Sequence, residues 1–289
     1  MLKKVFKYDF QSIKRYWWLM AILIPGVALV AALLMRHSIS LMSSSSSAQN
    51  QIVSMISTME MLFSILALVL IFSSAIVTQI LIFIRFYKHF YSDEGYLTFT
   101  LPVSRRTLFL SKTLNAMVWS IFHFLLIGAA ALICFIIIPI PEEGIISWVV
   151  FEGMWNAFKG LWELFGGWTL VYTLEIIIFM LLYLFFQNAL IHLCITIGAV
   201  IAKRAKIIVA IAIWYGVSGG VSFVAEILVY FGLGFALPGF INVTEGMTAS
   251  TGCVVFALMG LLACLVIGAL GFICYAITMD KIERKLNLA

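Results

Sequence analysis

Six runs of apolar residues divide the chain, over 17–35, 59–84, 113–138, 169–201, 207–231 and 252–279. Each is long enough to cross a bilayer as a helix, for which about 20 residues suffice. The residues ahead of the first run follow another pattern. Leu2, Val5, Phe6, Phe10, Ile13 and Trp17 recur at three- and four-residue spacing, and Lys3, Lys4, Lys7, Lys14 and Arg15 fill the remainder. This predicts an amphipathic helix over 1–16 lying in the headgroup layer, with Tyr16, Trp17 and Trp18 anchoring the first span. A second amphipathic segment occupies 139–168. There Trp148, Phe151, Trp155, Phe158, Trp162 and Phe165 form an aromatic face opposite Glu152, Asn156, Lys159 and Glu163. At the outer interface it would serve as a lateral gate or lid, or more plainly as an interfacial anchor or a face packed on its own bundle. Two polar stretches remain: Arg36–Gln51, with the serine run Ser43–Ser47, and the Gly-rich Gly232–Ser250. Both read as loops on the outer side, the latter dipping back toward the bilayer.

Composition settles the class. Hydrophobic residues make up 64% and charged residues 11%, against roughly half and a quarter in soluble domains. Mean hydropathy is +1.13, so the expected fold is an all-α integral membrane protein with six transmembrane helices in a single domain. Sixteen of the 18 Lys and Arg residues flank the runs on one side: before the first span, between the second and third, between the fourth and fifth, and in the tail. Arg36 and Lys159 alone fall on the other side. By the positive-inside rule both termini are then cytoplasmic. The net charge of +5 is spread over these loops and forms no stripe for phosphates, so nucleic acid is not an expected partner; membrane lipid is. The five cysteines, Cys134, Cys194, Cys253, Cys264 and Cys274, lie within apolar runs without metal-ligand spacing and read as packing residues. The first run, preceded by 16 residues, reads as an uncleaved anchor rather than a signal peptide.

The loop over 85–112 carries the most information. It is short and basic (Arg85, Lys88, Arg105, Arg106, Lys112), hence cytoplasmic. Ser92-Asp93-Glu94 places a hydroxyl and two carboxylates where a helix would begin, suiting orphan N–H groups and the positive end of the helix dipole. Tyr96, Leu97, Phe99 and Leu101 then supply an apolar surface. Pro102 ends the element, and Ser104 is placed to cap the helix entering the membrane. A short knuckle of this kind, with Thr98 among its polar positions and Gly95 and Pro102 setting its shape, reads as a docking surface.

The run Asp93-Glu94-Gly95-Tyr96-Leu97-Thr98-Phe99-Thr100-Leu101-Pro102-Val103-Ser104 resembles the loop between the second and third spans of small bacterial ABC-2-type permeases. The ending Lys285-Leu286-Asn287-Leu288 resembles the same group. The resemblance implies six spans, a bacterial plasma-membrane location, and a membrane subunit paired with a second permease subunit, identical or not. It also implies that this loop is pressed against a separate cytoplasmic ATPase. ATP and Mg would belong to that partner, and this chain would bind no cofactor. Asp93, Glu94, Tyr96, Leu97, Phe99 and Leu101 would carry the docking.

Five ionisable residues, Glu60, His123, Glu175, His192 and Glu226, lie within or near the spans, where burial in lipid is costly. Glu60 and Glu175 are near span ends and can reach the interface. His123, His192 and Glu226 are deeper, and pairing between helices is the first reading for them, ahead of substrate contact. Gly260, Cys264 and Gly268 in the sixth span, with Gly216 and Gly220 in the fifth, recur every four residues. Small residues so spaced let helices approach closely, within a bundle or between subunits. No phosphate-cradling Gly-x-x-x-x-Gly-Lys-[Ser/Thr], no His-Glu-x-x-His and no Gly-x-Ser-x-Gly occurs, so enzyme action by the chain alone is not expected. The alternatives to a permease are an ion-coupled carrier or channel, which would call for inverted repeats or mid-membrane charge pairs, and a non-transporting membrane scaffold.

Overall fold

The computed structural model describes residues 2–44, 51–100, 102–138, 149–202, 205–231 and 249–284. Among them the chain forms eight helices and no strand: α1 (Leu2–Ser44), α2 (Gln51–Tyr91), α3 (Asp93–Phe99), α4 (Arg105–Ile137), α5 (Val149–Phe165), α6 (Trp168–Ile201), α7 (Lys206–Phe231) and α8 (Ala249–Arg284). Five stretches are long and apolar enough to cross a bilayer, at Tyr16–Met42, Gln51–Tyr91, Arg105–Ile137, Trp168–Ile201 and Thr251–Arg284. A helix satisfies its own backbone, which lipid cannot do. The chain is an all-α, multi-pass membrane protein.

Two compact units are formed, Met1–Ile82 with Leu114–Glu163, and Phe83–Thr113 with Leu164–Ala289. In the first, Ile24, Ala28 and Ala32 of α1 pack with Ile71 of α2 and with Ala130, Cys134 and Ile137 of α4. The small Ala28 brings the backbones close enough for the Cys134 thiol to donate to its carbonyl at 3.8 Å. Pro25 sits inside α1 without ending it.

The first correction concerns α1. The amphipathic segment expected in the headgroup layer and the first span form one continuous 43-residue helix. The apolar stripe has a partner within the chain. Phe10, Ile13 and Trp17 pack on Ile82, Ala116 and Trp119, with Phe10 stacked on Trp119 at 4.6 Å. Asn115 Nδ2 donates to the Phe6 carbonyl at 3.3 Å. The far end of α1 also runs on: residues 36–44, expected to begin a loop, are helical. Polar side chains there bond to other helix ends. Arg36 donates to the Ile137 carbonyl at 2.9 Å, and Ser38 to the Ser57 carbonyl at 2.8 Å. The serine run from Ser45, like the Gly-rich stretch over 232–248, lies outside the described residues.

Helix α5 presents Phe151, Trp155, Phe158 and Trp162 as exposed side chains. Phe165, at the end of that face, meets Tyr172 edge-on at 5.6 Å, and Lys159 sits over the Trp155 ring at 5.5 Å. Trp148 lies outside the described residues. Gly166, with φ of 54°, takes the left-handed turn that ends α5, a conformation glycine adopts without penalty.

In the second unit α6 packs between α7 and α8. A Cβ on Gly198 would fall 2.8–2.9 Å from the backbone and Cβ of Ala210, and one on Gly271 2.8 Å from Phe185. Both positions need glycine for backbones to meet. Phe186, Leu190 and Cys194 fill the space beside Ile213, Trp214 and Ile267. Of the spacings in the sequence, the set on α8 faces α6: Gly260 lies under Glu175, a Cβ on Gly268 would stand 3.6 Å from Leu182, and the Cys264 thiol donates to the Glu175 carbonyl at 3.7 Å. The α7 pair does not. Gly216 and Gly220 are exposed, and a Cβ there meets nothing within 4 Å among the described residues.

Gly198→Val is expected to lower the midpoint of thermal unfolding in detergent or to abolish folding, because its Cβ has no room. Gly216→Ala and Gly220→Ala should leave the midpoint unchanged, or raise it slightly through higher helix propensity. Melting curves of the three purified variants check the contrast.

Candidate functional site

Helix α3 is seven residues long, too short to hold itself together in water; its anchors lie elsewhere in the second unit. Gly95 is buried, and a Cβ there would stand 3.1 Å from the Phe90 carbonyl group, so α3 lies directly on the backbone of α2. The Gly95 N–H donates to the Ser92 carbonyl at 2.8 Å. The Ser92 hydroxyl turns back to the Lys88 carbonyl at 2.6 Å. Phe99 is turned inward, edge-on to Phe90 at 5.6 Å, with the Arg105 guanidinium 5.4 Å above its ring. Glu94 and Pro102 remain exposed, and the Thr98 hydroxyl donates to the Glu94 carbonyl at 2.9 Å. Asp93, Tyr96 and Leu97 are described through their backbone alone, and Leu101 lies outside the described residues. The Ser104 hydroxyl accepts the Thr107 N–H at 3.3 Å, a cap for the first turn of α4.

That first turn is tied to the end of α8. Arg105 donates to the Ile282 and Glu283 carbonyls at 3.2 and 3.0 Å, filling acceptors that a helix C-terminus leaves open. Arg106 makes a paired contact with the Glu283 carboxylate at 2.6 and 3.2 Å. The hydrogen bond from Arg106, and then its charge, hold the Glu283 carboxyl below its ordinary value. The contact is thus fully formed at neutral pH and fades as pH falls below the usual carboxylate range.

Beneath α3 lies a buried aromatic cluster. Phe86, Phe90, Phe109 and His192 are each at most 2% exposed. The His192 ring stacks on Phe86 at 4.1 Å and meets Phe109 edge-on at 5.8 Å, and Phe109 stacks on Tyr275 at 4.8 Å. Tyr91 donates to the Thr196 hydroxyl at 2.8 Å, which donates to the His192 carbonyl at 2.8 Å. Neither ring nitrogen of His192 has a hydrogen-bond partner among the described residues. An unsatisfied buried polar group costs on the order of 1–3 kcal/mol, which ring stacking offsets only in part. Helices α2, α4, α6 and α8 all contribute to this cluster. Periodicity within a single helix carries no sign of it.

The other candidate positions are dispersed. His123 bridges helices of the first unit, with Nε2 3.2 Å from the Ser74 hydroxyl and Nδ1 3.0 Å from that of Thr78. Glu60 meets His37 at 2.9 Å. Glu226 is exposed on α7. Glu175 lies on α6 in a groove beside α8. Among the described residues no group of three His, Cys, Asp or Glu comes together as metal ligands would.

No family model, curated protein or solved structure matches this chain.

Substituting His192→Phe keeps the stack and removes two unpartnered nitrogens, so the unfolding midpoint should hold or rise. Phe90→Ala, which empties the space under Gly95 and Phe99, should cost about 3–5 kcal/mol. It should also raise hydrogen exchange across α3. Thermal melts and exchange mass spectrometry of the two variants read both effects.

Proposed function

We propose that the chain is the membrane subunit of an ABC-2-type exporter in a bacterial plasma membrane, driven by a separate ATPase that docks on α3. The observation that carries this reading is the bracing of α3, in the stretch whose residues 93–104 resemble the coupling loop of that family. Pressed from the cytoplasm, α3 bears on the α2 backbone through Gly95 and on the aromatic cluster through Phe99. Arg105 and Arg106 hand the same load to the end of α8. A short helix built this way suits the transfer of work from a nucleotide-hydrolysing partner, and the chain carries no phosphate-binding loop of its own.

In this reading α1, α2, α4, α6, α7 and α8 are the six spans. Helix α7, with 26 residues and an apolar stretch over Lys206–Val221, is the fifth. The charge distribution puts α3 and both termini in the cytoplasm and α5 outside, at the interface. ATP and Mg remain on the ATPase. A second permease subunit completes the path, and the uncovered Gly216 and Gly220 are the positions we assign to that contact. Phe99 faces inward and Glu94 is exposed, so in this reading docking falls to Glu94 together with Asp93, Tyr96, Leu97 and Leu101 of the same run. The carrier alternative gains no support from the ion pair Arg106–Glu283, which lies at helix ends.

Replacing Glu94→Arg or Leu101→Arg should leave membrane insertion intact while ATPase copurification and its stimulated turnover are lost. A cysteine placed at Tyr96 should react with impermeant reagents from the cytoplasmic side alone. Labelling from the exterior alone would overturn the reading.

A further inference from the structure

Glu175 is out of place for an ordinary lipid-facing residue. It stands seven residues into α6, roughly 10 Å along the helix from Trp168, as the one Asp, Glu, Lys or Arg of the stretch Trp168–Ile201. Its carboxylate hangs over Gly260 of α8, where an added side chain would require it to shift. Among the described residues it makes no side-chain hydrogen bond and no ion pair. Around it runs a groove of about 410 Å³, a size typical of small-molecule sites. The walls include Phe165, Tyr172, Phe179 and Phe256. The Tyr172 hydroxyl is already committed to the Cys253 carbonyl at 2.9 Å. The groove opens sideways, since Phe179 and Phe256 are 38% and 50% exposed.

We propose that this groove binds an amphiphilic cation, an amine or quaternary ammonium on an aliphatic tail, taken from the bilayer. The chemistry follows from the lining. A carboxylate within the membrane is costly to keep ionised unless a cation meets it, and among the described residues no Lys, Arg or His lines the groove to do so. The aromatic walls attract a cation through their faces and take a hydrocarbon tail. A zwitterionic lipid headgroup fits poorly, because its phosphate would find no positive partner beside Glu175. Glycine at position 260 leaves the carboxylate room at this place. Binding here needs no ATPase, so its success or failure is independent of the transport reading.

The test uses the full chain in phosphatidylcholine nanodiscs, with empty nanodiscs subtracted. Equilibrium dialysis of radiolabelled tetradecyltrimethylammonium should show saturable binding. Neutral tetradecanol and zwitterionic lysophosphatidylcholine should bind at least about tenfold more weakly, as loss of a close charge pair in a low-dielectric site requires. Glu175→Gln should weaken the cation about tenfold or more and leave tetradecanol unchanged, whereas Glu175→Asp should retain most of the affinity. Phe256→Lys, which supplies an internal ammonium from an exposed position, should also abolish cation binding and covers the case in which Glu175→Gln does not fold. Equal binding of the cation to wild type and either variant, or equal binding of the three probes to wild type, would overturn the proposal.

Discussion

Helices immersed in lipid gain no hydrophobic free energy by touching one another, so their association depends on how near their backbones can come. Helix α6 shows the consequence most plainly. It reaches α7 through Gly198 and α8 through Gly271, and in each case the space a Cβ would need is already occupied. On α1 the alanines 28 and 32 serve α4 in the same way. Toward α3 the solution changes. There bulky rings from four helices interlock, and a histidine is held among them with its nitrogens unpartnered. Small residues set the separation in the spans, and large ones fix the geometry under the knuckle.

The existence and order of the long helices were legible in the apolar runs, because a stretch of that length and composition has few other ways to satisfy its backbone. Their ends were not. Helix α1 runs on to Ser44 beside Arg36 and Ser38, which bond to carbonyls of residues far away in the sequence, and no local pattern records such partners. The fusion of the amphipathic segment with the first span has a similar origin. Its apolar stripe was visible, but a stripe does not say whether lipid or Trp119 will cover it.

On α7, Gly216 and Gly220 have the spacing but no neighbour among the described residues, while Cys194, Gly198 and the capping Ala202 recur every four residues at the end of α6 and include the glycine that meets Ala210. For α3, composition located the element and its caps, and tertiary packing decided its faces. Phe99 reads as surface from the sequence and turns inward because Phe90 and Arg105 offer it two ring contacts. Glu175 reads as a residue near a span end, and only packing shows that its carboxylate lies against Gly260 of α8, beside the groove.

The bond from Arg105 to the closing carbonyls of α8 has a mechanical corollary. The last described turn of the polypeptide and the first turn of α4 are a single stapled joint, though some 177 residues separate them in the sequence. A load applied to the end of α8 at Arg284 will tug on the base of α4. A spacer long and slack enough to leave that joint unloaded is therefore a requirement of any fusion that is meant to leave the molecule as it is.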